Sequence, residues 1–327
     1  MKKIILFFLM FMIVGCYDYK ELNDIDIVSS ILVDYDSEYI ITLEIVKSDQ
    51  DNHIQKDFIT GKGKSISDAI HSVKASSPKE LFLEHVEVLC ISKSLGEYGI
   101  NDLIDYIMRD LTINNNYYVV VTDSIDDLVS KELDDSLGEE VTDLVNNVMG
   151  ENDIFTIDMI ERDFINKKKD IVLPYISDFN CKKIAYFKEG NLEGTISNDI
   201  YRMLLLNSDQ VVFHNGDNII HIYDSKIKYT VNKKEVIVNI YLYGRILEID
   251  DSITLSKEDT YHKLNIEFSK SIGNEILSYF HNISSDILGI NGKYYEKYGI
   301  KKDVKYTIKT DVNINKNGAL FEVDYDS

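Results

Sequence analysis

The chain has 327 residues, 44% of them hydrophobic, with 35 Lys and Arg against 56 Asp and Glu and a formal net charge of −21. This length allows two or three domains with real cores. The acidic balance argues against a nucleic-acid partner, whose phosphates need clustered Lys and Arg, and against attachment to anionic lipid by charge alone.

The chain opens with Lys2 and Lys3, followed by an unbroken apolar run over residues 4–14. As a helix this run rises about 16 Å, roughly half the hydrocarbon core of a bilayer, so it is too short to span and has the form of a secretory signal. Ile13-Val14-Gly15-Cys16 looks like a bacterial lipobox, in which small Gly15 admits the peptidase and Cys16 receives a diacylglycerol. Residues 1–15 are therefore read as a lipoprotein signal peptide and Cys16 as the lipid-attachment residue. Removing them takes away two lysines and no acids, so −21 becomes −23. One acyl chain gives marginal membrane binding and two give stable anchoring; a diacylglyceryl cysteine supplies two, and N-acylation can add a third. The alternative is an ordinary secretory signal with a chance cysteine, but no A-x-A cleavage site is present. The other two cysteines, Cys90 and Cys181, lie far apart in apolar strand-like runs and are expected as buried thiols rather than a disulfide. With no Cys-x-x-Cys, a structural zinc site is excluded.

Residues 25–46 read as a strand pair, "IDIVSSILVD" and "EYIITLEIV", turning at Asp36-Ser37. A third strand, "QKDFITGKGKS", leads into a helix over 67–75 opened by the capping pattern Ser65-x-x-Asp68. A strand over 81–92 follows, then a helix over 97–110 with Ile100, Leu103, Ile104 and Ile107 at helical spacing. Next come a strand over 117–123, a helix over 124–133, and a polar helical stretch over 139–170 that closes at the strand "IVLP". A hairpin around Glu189-Gly190-Asn191 begins a second block, with a short helix over 197–206 and strands over 210–214, 218–231 and 235–249. The last block opens at Ser256-x-x-Asp259 with a long helix over 257–284, striped by Leu264, Phe268, Ile272, Ile276 and Phe280. It ends in a hairpin turning at Asn317-Gly318. Strands alternating with helices, then strand-rich segments, give an α+β class.

Several motifs tempt a chemical reading. "GKGKS" (61–65) carries the lysine of a phosphate loop but has Phe58 where the first glycine of the cradle must stand. "NINKNG" (313–318) has only neutral Asn at its liganding positions and Asp324 where a bidentate Glu is needed for calcium, so it reads as a turn. His214 and His221 could face each other across a hairpin at Gly216, with Asp217 or Asp224 as a third metal ligand, but read better as surface histidines. His85 shares a predicted strand face with Glu87 and is expected to be ion-paired. There is no G-x-S-x-G, and no Cys beside a His with an orienting acid. Nothing points to an enzyme, a metal or a cofactor other than the acyl lipid on Cys16.

Taken together, these pieces resemble the Ger(x)C family, the lipoprotein C subunits of bacterial spore nutrient germinant receptors. The likeness begins at Gly15-Cys16, Tyr17-Asp18 and Glu21-Leu22, with the Ile-rich strand ending at Asp34. It continues through "GKGKSISDAIHSV", "SPKELFLEHVEVLCIS" with His85, "GINDLIDYIMRD" with Arg109-Asp110, "DIVLPYI", "IAYFKEGNLEGTIS" and "SSDILGINGKYYEKY". The family's usual Trp is Tyr17 here, and the chain has no Trp at all. The resemblance implies a non-catalytic lipoprotein on the outer face of the inner spore membrane. There it would work with two integral-membrane partners, the A and B receptor subunits, in a complex that responds to amino acids or sugars. It also implies a role in receptor assembly or signalling. The expected layout is a signal peptide followed by three mixed α/β domains, over 16–180, 181–250 and 251–327. The last is expected to carry one long helix packed on an antiparallel sheet. Arg109 is expected to support folding or assembly. Two other readings compete: a surface lipoprotein that captures a small ligand for a transporter, and a cell-wall hydrolase acting during germination.

Overall fold

A computed structural model of the chain describes residues 25–48, 54–109, 116–150, 155–166, 168–206, 211–216, 218–249, 258–281 and 283–314. Cys16 and the expected signal peptide lie outside them, as do Ser256, Asn317, Gly318 and the second strand of the expected terminal hairpin.

The first sheet is nine-stranded among the described residues. Strands β1 (Ile25–Asp36), β2 (Glu38–Ser48) and β3 (Ile54–Gly63) form an antiparallel meander. On its other edge β1 pairs in parallel with β4 (Glu80–Phe82) and then β5 (Val88–Ser92). From β5 the sheet continues in parallel through β6 (Tyr118–Thr122) and β7 (Val172–Ser177). It finishes with the antiparallel hairpin β8 (Asn180–Lys188) and β9 (Asn191–Ser197). The expected hairpin of the second block therefore belongs to the first sheet. It turns through Glu189 (φ 52°) and Gly190 (φ 92°), the left-handed pair that matches strand twist in a tight hairpin.

Parallel neighbours need crossovers, and helices supply them. Helix α1 (Ile66–Ser76) crosses from β3 to β4, capped by Ser65, whose Oγ accepts the N–H of Asp68 at 3.1 Å as the capping pattern predicts. Helices α2 (Lys93–Tyr98) and α3 (Asn101–Ile107) lie between β5 and β6. The single helix expected there is broken at Gly99, whose φ of 131° no helix admits. Between β6 and β7 run α4 (Ile125–Val129), α5 (Leu137–Met149) and α6 (Ile157–Asn166). Side chains alternate between the two sides of the sheet. Leu89, Ile91, Val119 and Val121 face α1–α3 and α6, whereas Val88, Cys90 and Val120 face α4 and α5.

The expected strand over 81–92 is interrupted. Ile27 pairs with Phe82 and Ser30 with Val88, so three steps along β1 correspond to six along its partner. Residues 83–87 loop out between β4 and β5, turned by a hydrogen bond from Val86 N–H to the Leu83 carbonyl.

The second sheet runs β10 (Val211–Asn215), β11 (Asn218–Val231), β12 (Glu235–Glu248) and β13 (Lys305–Ile314). It is reached through α7 (Asn198–Tyr201) and a π-helical turn. Strands β10–β12 are antiparallel, but β13 joins parallel to β12, so the sheet is mixed. The crossover that makes this possible is the long helix α8 (Glu258–Phe280) followed by α9 (Ile290–Tyr298). Leu264, Phe268, Ile272, Ile276 and Phe280 are buried along α8, in one core with Val236, Val238, Ile240, Leu242, Ile308 and Val312. Each contributes roughly 1.5–3 kcal/mol of burial. That core also holds Val88, Cys90 and Val120, so both sheets share one apolar interior.

Candidate functional site

Strand β2 carries one carboxylate inward, Glu44, which is fully buried. Its Oε1 accepts the N–H of Leu137 at 2.7 Å, and its Oε2 accepts the N–H of Gly138 at 3.3 Å and the hydroxyl of Ser30 at 3.0 Å. These are unpaired N–H groups of the first turn of α5, where a negative charge is favoured. Beside it Glu87 accepts from Ser29 Oγ at 3.0 Å and Ser136 Oγ at 3.3 Å, and Ser136 Oγ in turn accepts the N–H of Glu139. A Cβ at Gly138 would stand 2.3 Å from Ser29 Oγ, so only glycine lets the helix approach the strand this closely. The lone pairs of Glu44 are taken by protein donors, and the pair of acids fixes α5 to the sheet.

Glu87 is therefore committed to Ser29 and Ser136. The expected His85–Glu87 ion pair is replaced: His85 sits in the 83–87 loop with its ring against Phe82, centroids 5.6 Å apart. Arg109 makes an exposed helical pair with Asp105 at 2.9 Å. His214 and His221 lie on one face of the β10–β11 hairpin, but their strand partners are Ile219 and Val212. His221 Nδ1 accepts the Nε–H of Arg245 at 3.1 Å. No group of three or more metal-ligating side chains occurs among the described residues. The glycines of "GKGKS" serve packing: a Cβ at Gly61 or Gly63 would stand 2.4 Å from the backbone N of Val73 or Ala69, where α1 lies on β3. Cys90 and Cys181 are free and buried; burial pushes the Cys181 thiol up to about 12 and that of Cys90 higher still.

Two polar places were not visible in the sequence. The first is a cleft of about 330 Å³ beside the carboxyl ends of the parallel strands, the usual ligand position in such sheets. Lys93, Asp123, Tyr175 and Lys183 line it. Tyr175 Oη donates a short hydrogen bond to Asp123, and burial followed by this bond raises the tyrosine. The second is a seam between the two sheets. Asp170 Oδ2 accepts the N–H of Asp286 at 2.6 Å, and Asp286 accepts from Ile290 and Asn291 at 2.6 and 2.7 Å, capping α9. Glu193 nearby takes the hydroxyls of Ser284 and Ser285. Burial raises both Asp170 and Asp286 above the ordinary carboxylate range.

Fold and polar groups together define an α+β protein of two sheets on one core, whose buried acids hold helices in place. Residues 18–178 match the family model for the spore germination protein N-terminal domain, and residues 182–318 match that for the spore germination B3/GerAC-like C-terminal domain. The chain belongs to the spore germination GerAC family. It is also similar to a non-toxic nonhemagglutinin of Paraclostridium bifermentans, 22% identical over 242 residues. That match takes in 72% of this chain but spans only about a fifth (20%) of the other protein's length. Among solved structures it is similar to the GerBC protein, with 12% identity and a TM-score of 0.45, over 87% of this chain and 96% of that one.

Proposed function

We propose that this chain is the non-catalytic C subunit of a spore nutrient germinant receptor, held by acyl lipid on Cys16 to the outer face of the inner spore membrane. It assembles there with integral-membrane A and B subunits and serves receptor assembly or signalling. The observation that carries this reading is the pair of family matches, which begins two residues after Cys16 and, apart from residues 179–181, runs to residue 318. Two acyl chains at that cysteine provide the anchor. No described helix is long and apolar enough to cross a membrane. The test is a pull-down of the C-terminally tagged protein from detergent-solubilised dormant spores. Two multi-spanning proteins in near-equal amounts support the reading, and recovery alone or with a transporter from vegetative cells overturns it.

The cleft at Lys93, Asp123 and Lys183 favours a second reading, capture of a small zwitterionic ligand, because opposite charges line one open groove. Calorimetric titration of the whole protein with amino acids, repeated with Asp123→Asn, distinguishes the two.

A further inference from the structure

The acidic net charge is an average, and one end of the molecule departs from it. Between residues 292 and 309 six lysines face two acids, Glu296 and Asp303. Glu296 is held by Lys168 at 2.9 Å and Lys293 at 3.2 Å, and Asp303 accepts from Asn291 at 3.4 Å. Lys293, Lys297, Lys301 and Lys302 are exposed, and the β11–β12 turn adds exposed Lys233 and Lys234. That turn is fixed beside α9 by hydrogen bonds from Lys297 Nζ to the Val231 carbonyl (2.5 Å) and from Tyr294 Oη to the Lys233 carbonyl (3.3 Å). Tyr295 and Ile300 stand among these lysines, 47% and 53% exposed, with Lys301 over the Tyr295 ring. Lysines interleaved with exposed tyrosine and aliphatic side chains form the surface that settles at a bilayer interface.

The strand registers show where this face lies. Val33 pairs with Ile91, Ile91 with Val121, and Val121 with Tyr175. Counting back equally along β1 and β7, Val172 at the start of β7 is level with Ser30, and Lys168 lies four residues before that start. Lys168 is the residue on which α9 rests: a Cβ at Gly292 would stand 2.1 Å from its carbonyl oxygen. The lysine face therefore lies at the end of the sheet where β1 begins, three strands away, or about 14 Å. From Ile25 back to Cys16 the extended chain reaches at most about 30 Å. A tether at Cys16 thus holds this end of the molecule towards the membrane.

We infer that the face of α9 and the β11–β12 turn rests on anionic phospholipid headgroups beside the anchor. The inference rests on the anchored reading above for its geometry and on charge complementarity for its ligand. Several lysines within a Debye length of about 10 Å of an anionic leaflet are attracted together, and salt weakens that attraction.

The test uses the lipidated full chain on vesicles of phosphatidylcholine, with or without phosphatidylglycerol. Flotation is measured first, then lysine labelling by a membrane-impermeant amine reagent read by mass spectrometry. Lys293, Lys297, Lys301 and Lys302 should label about tenfold more slowly on phosphatidylglycerol vesicles at low salt, with the protection lost at high salt. Lys62 and Lys64, at the opposite end of the sheet, should label alike on both. Equal labelling of the four on both vesicles overturns the inference, as does their protection in spore membranes but not on phosphatidylglycerol, which would mark an acidic protein partner. If the protein does not float with phosphatidylcholine alone, the anchor reading fails separately. Flotation with phosphatidylglycerol, lost in K293E/K297E/K301E/K302E, then still supports the lipid-binding face, and no flotation overturns it.

Discussion

The carboxylate of Glu44 on β2 takes the N–H of Leu137 at 2.7 Å, joining the second strand to the first residue of α5 across 93 positions of sequence. Replacing Glu44 by Ala strands two helix N–H groups and the Ser30 hydroxyl in a dry interior. The expected loss is about 3–5 kcal/mol, as for breaking other buried charge-assisted contacts. Glu44→Gln keeps the shape and one acceptor, so it should cost less, about 1–2 kcal/mol. Urea denaturation midpoints give both values. Equal midpoints for wild type and Glu44→Ala would show that the contact contributes nothing.

Gly61 and Gly63 let α1 lie directly on β3. Alanine at either must move helix backbone, since its Cβ would come within 2.4 Å of a main-chain nitrogen. A loss of about 2–3 kcal/mol is expected from overpacking of this kind. Gly216→Ala is the comparison: its φ of 63° is left-handed, but nothing lies within 4 Å of the added carbon. That change should cost about 1 kcal/mol.

The Asp170–Asp286 seam should tighten in mild acid. Burial raises both carboxyls, so the folded state binds more protons than the unfolded one while they titrate. Stability at the seam then rises as pH falls through the raised folded values, and the gain is complete once the unfolded carboxyls, near about 3.9, also protonate. Asp34 acts in the opposite sense. Burial raises it, but hydrogen bonds from Ser92, Ser94 and the Tyr35 amide outweigh this and leave it lowered. Its contribution is present above the ordinary value and lost only below it. Hydrogen exchange at the Ile290 and Asn291 amides, corrected for intrinsic rates, should slow as the solution is acidified through the raised carboxyl values, and Asp286→Asn should flatten that dependence.

Cys16→Ala should release the protein from spore membranes. A variant that still resists salt and alkaline washes would count against the anchor.

Arg109→Ala should leave the denaturation midpoint unchanged, because its only described ion pair, to Asp105, is exposed on both sides. The expectation that this residue supports folding is not favoured by that position. A loss of receptor assembly with normal stability would identify a partner contact instead.

Much of the fold was legible in the sequence. The Ser65 cap, the Asp36-Ser37 turn, the hairpin at Glu189-Gly190 and the α8 stripe all rest on local patterns, and they lie where those patterns place them. The misreadings needed distant partners. The 83–87 loop exists because β4 and β5 both register against β1, and Glu87 turns to Ser29 and Ser136. Gly99 breaks a helix whose apolar spacing looks continuous. β13 joins β12 in parallel, a pairing that no local pattern marks, while the second strand of its expected hairpin lies outside the described residues. Glu44, a single acid in "ITLEIV", carries no mark of the helix it caps, and the Asp170–Asp286 seam joins residues 116 positions apart.

The two family matches meet between residues 178 and 182, at the turn joining β7 to β8 inside one continuous sheet. A chain stopped at that boundary would keep β7 but strip away the two strands that cover its edge. It would also lose the second half's share of the apolar core that the two halves build together, including Ile184, Ile196, Ile220 and Ile240. Such a fragment would present an unpaired, hydrophobic strand to its own copies, the arrangement that drives edge-to-edge aggregation. The halves recognised by descent are thus not units of folding, and the protein should melt in one cooperative transition.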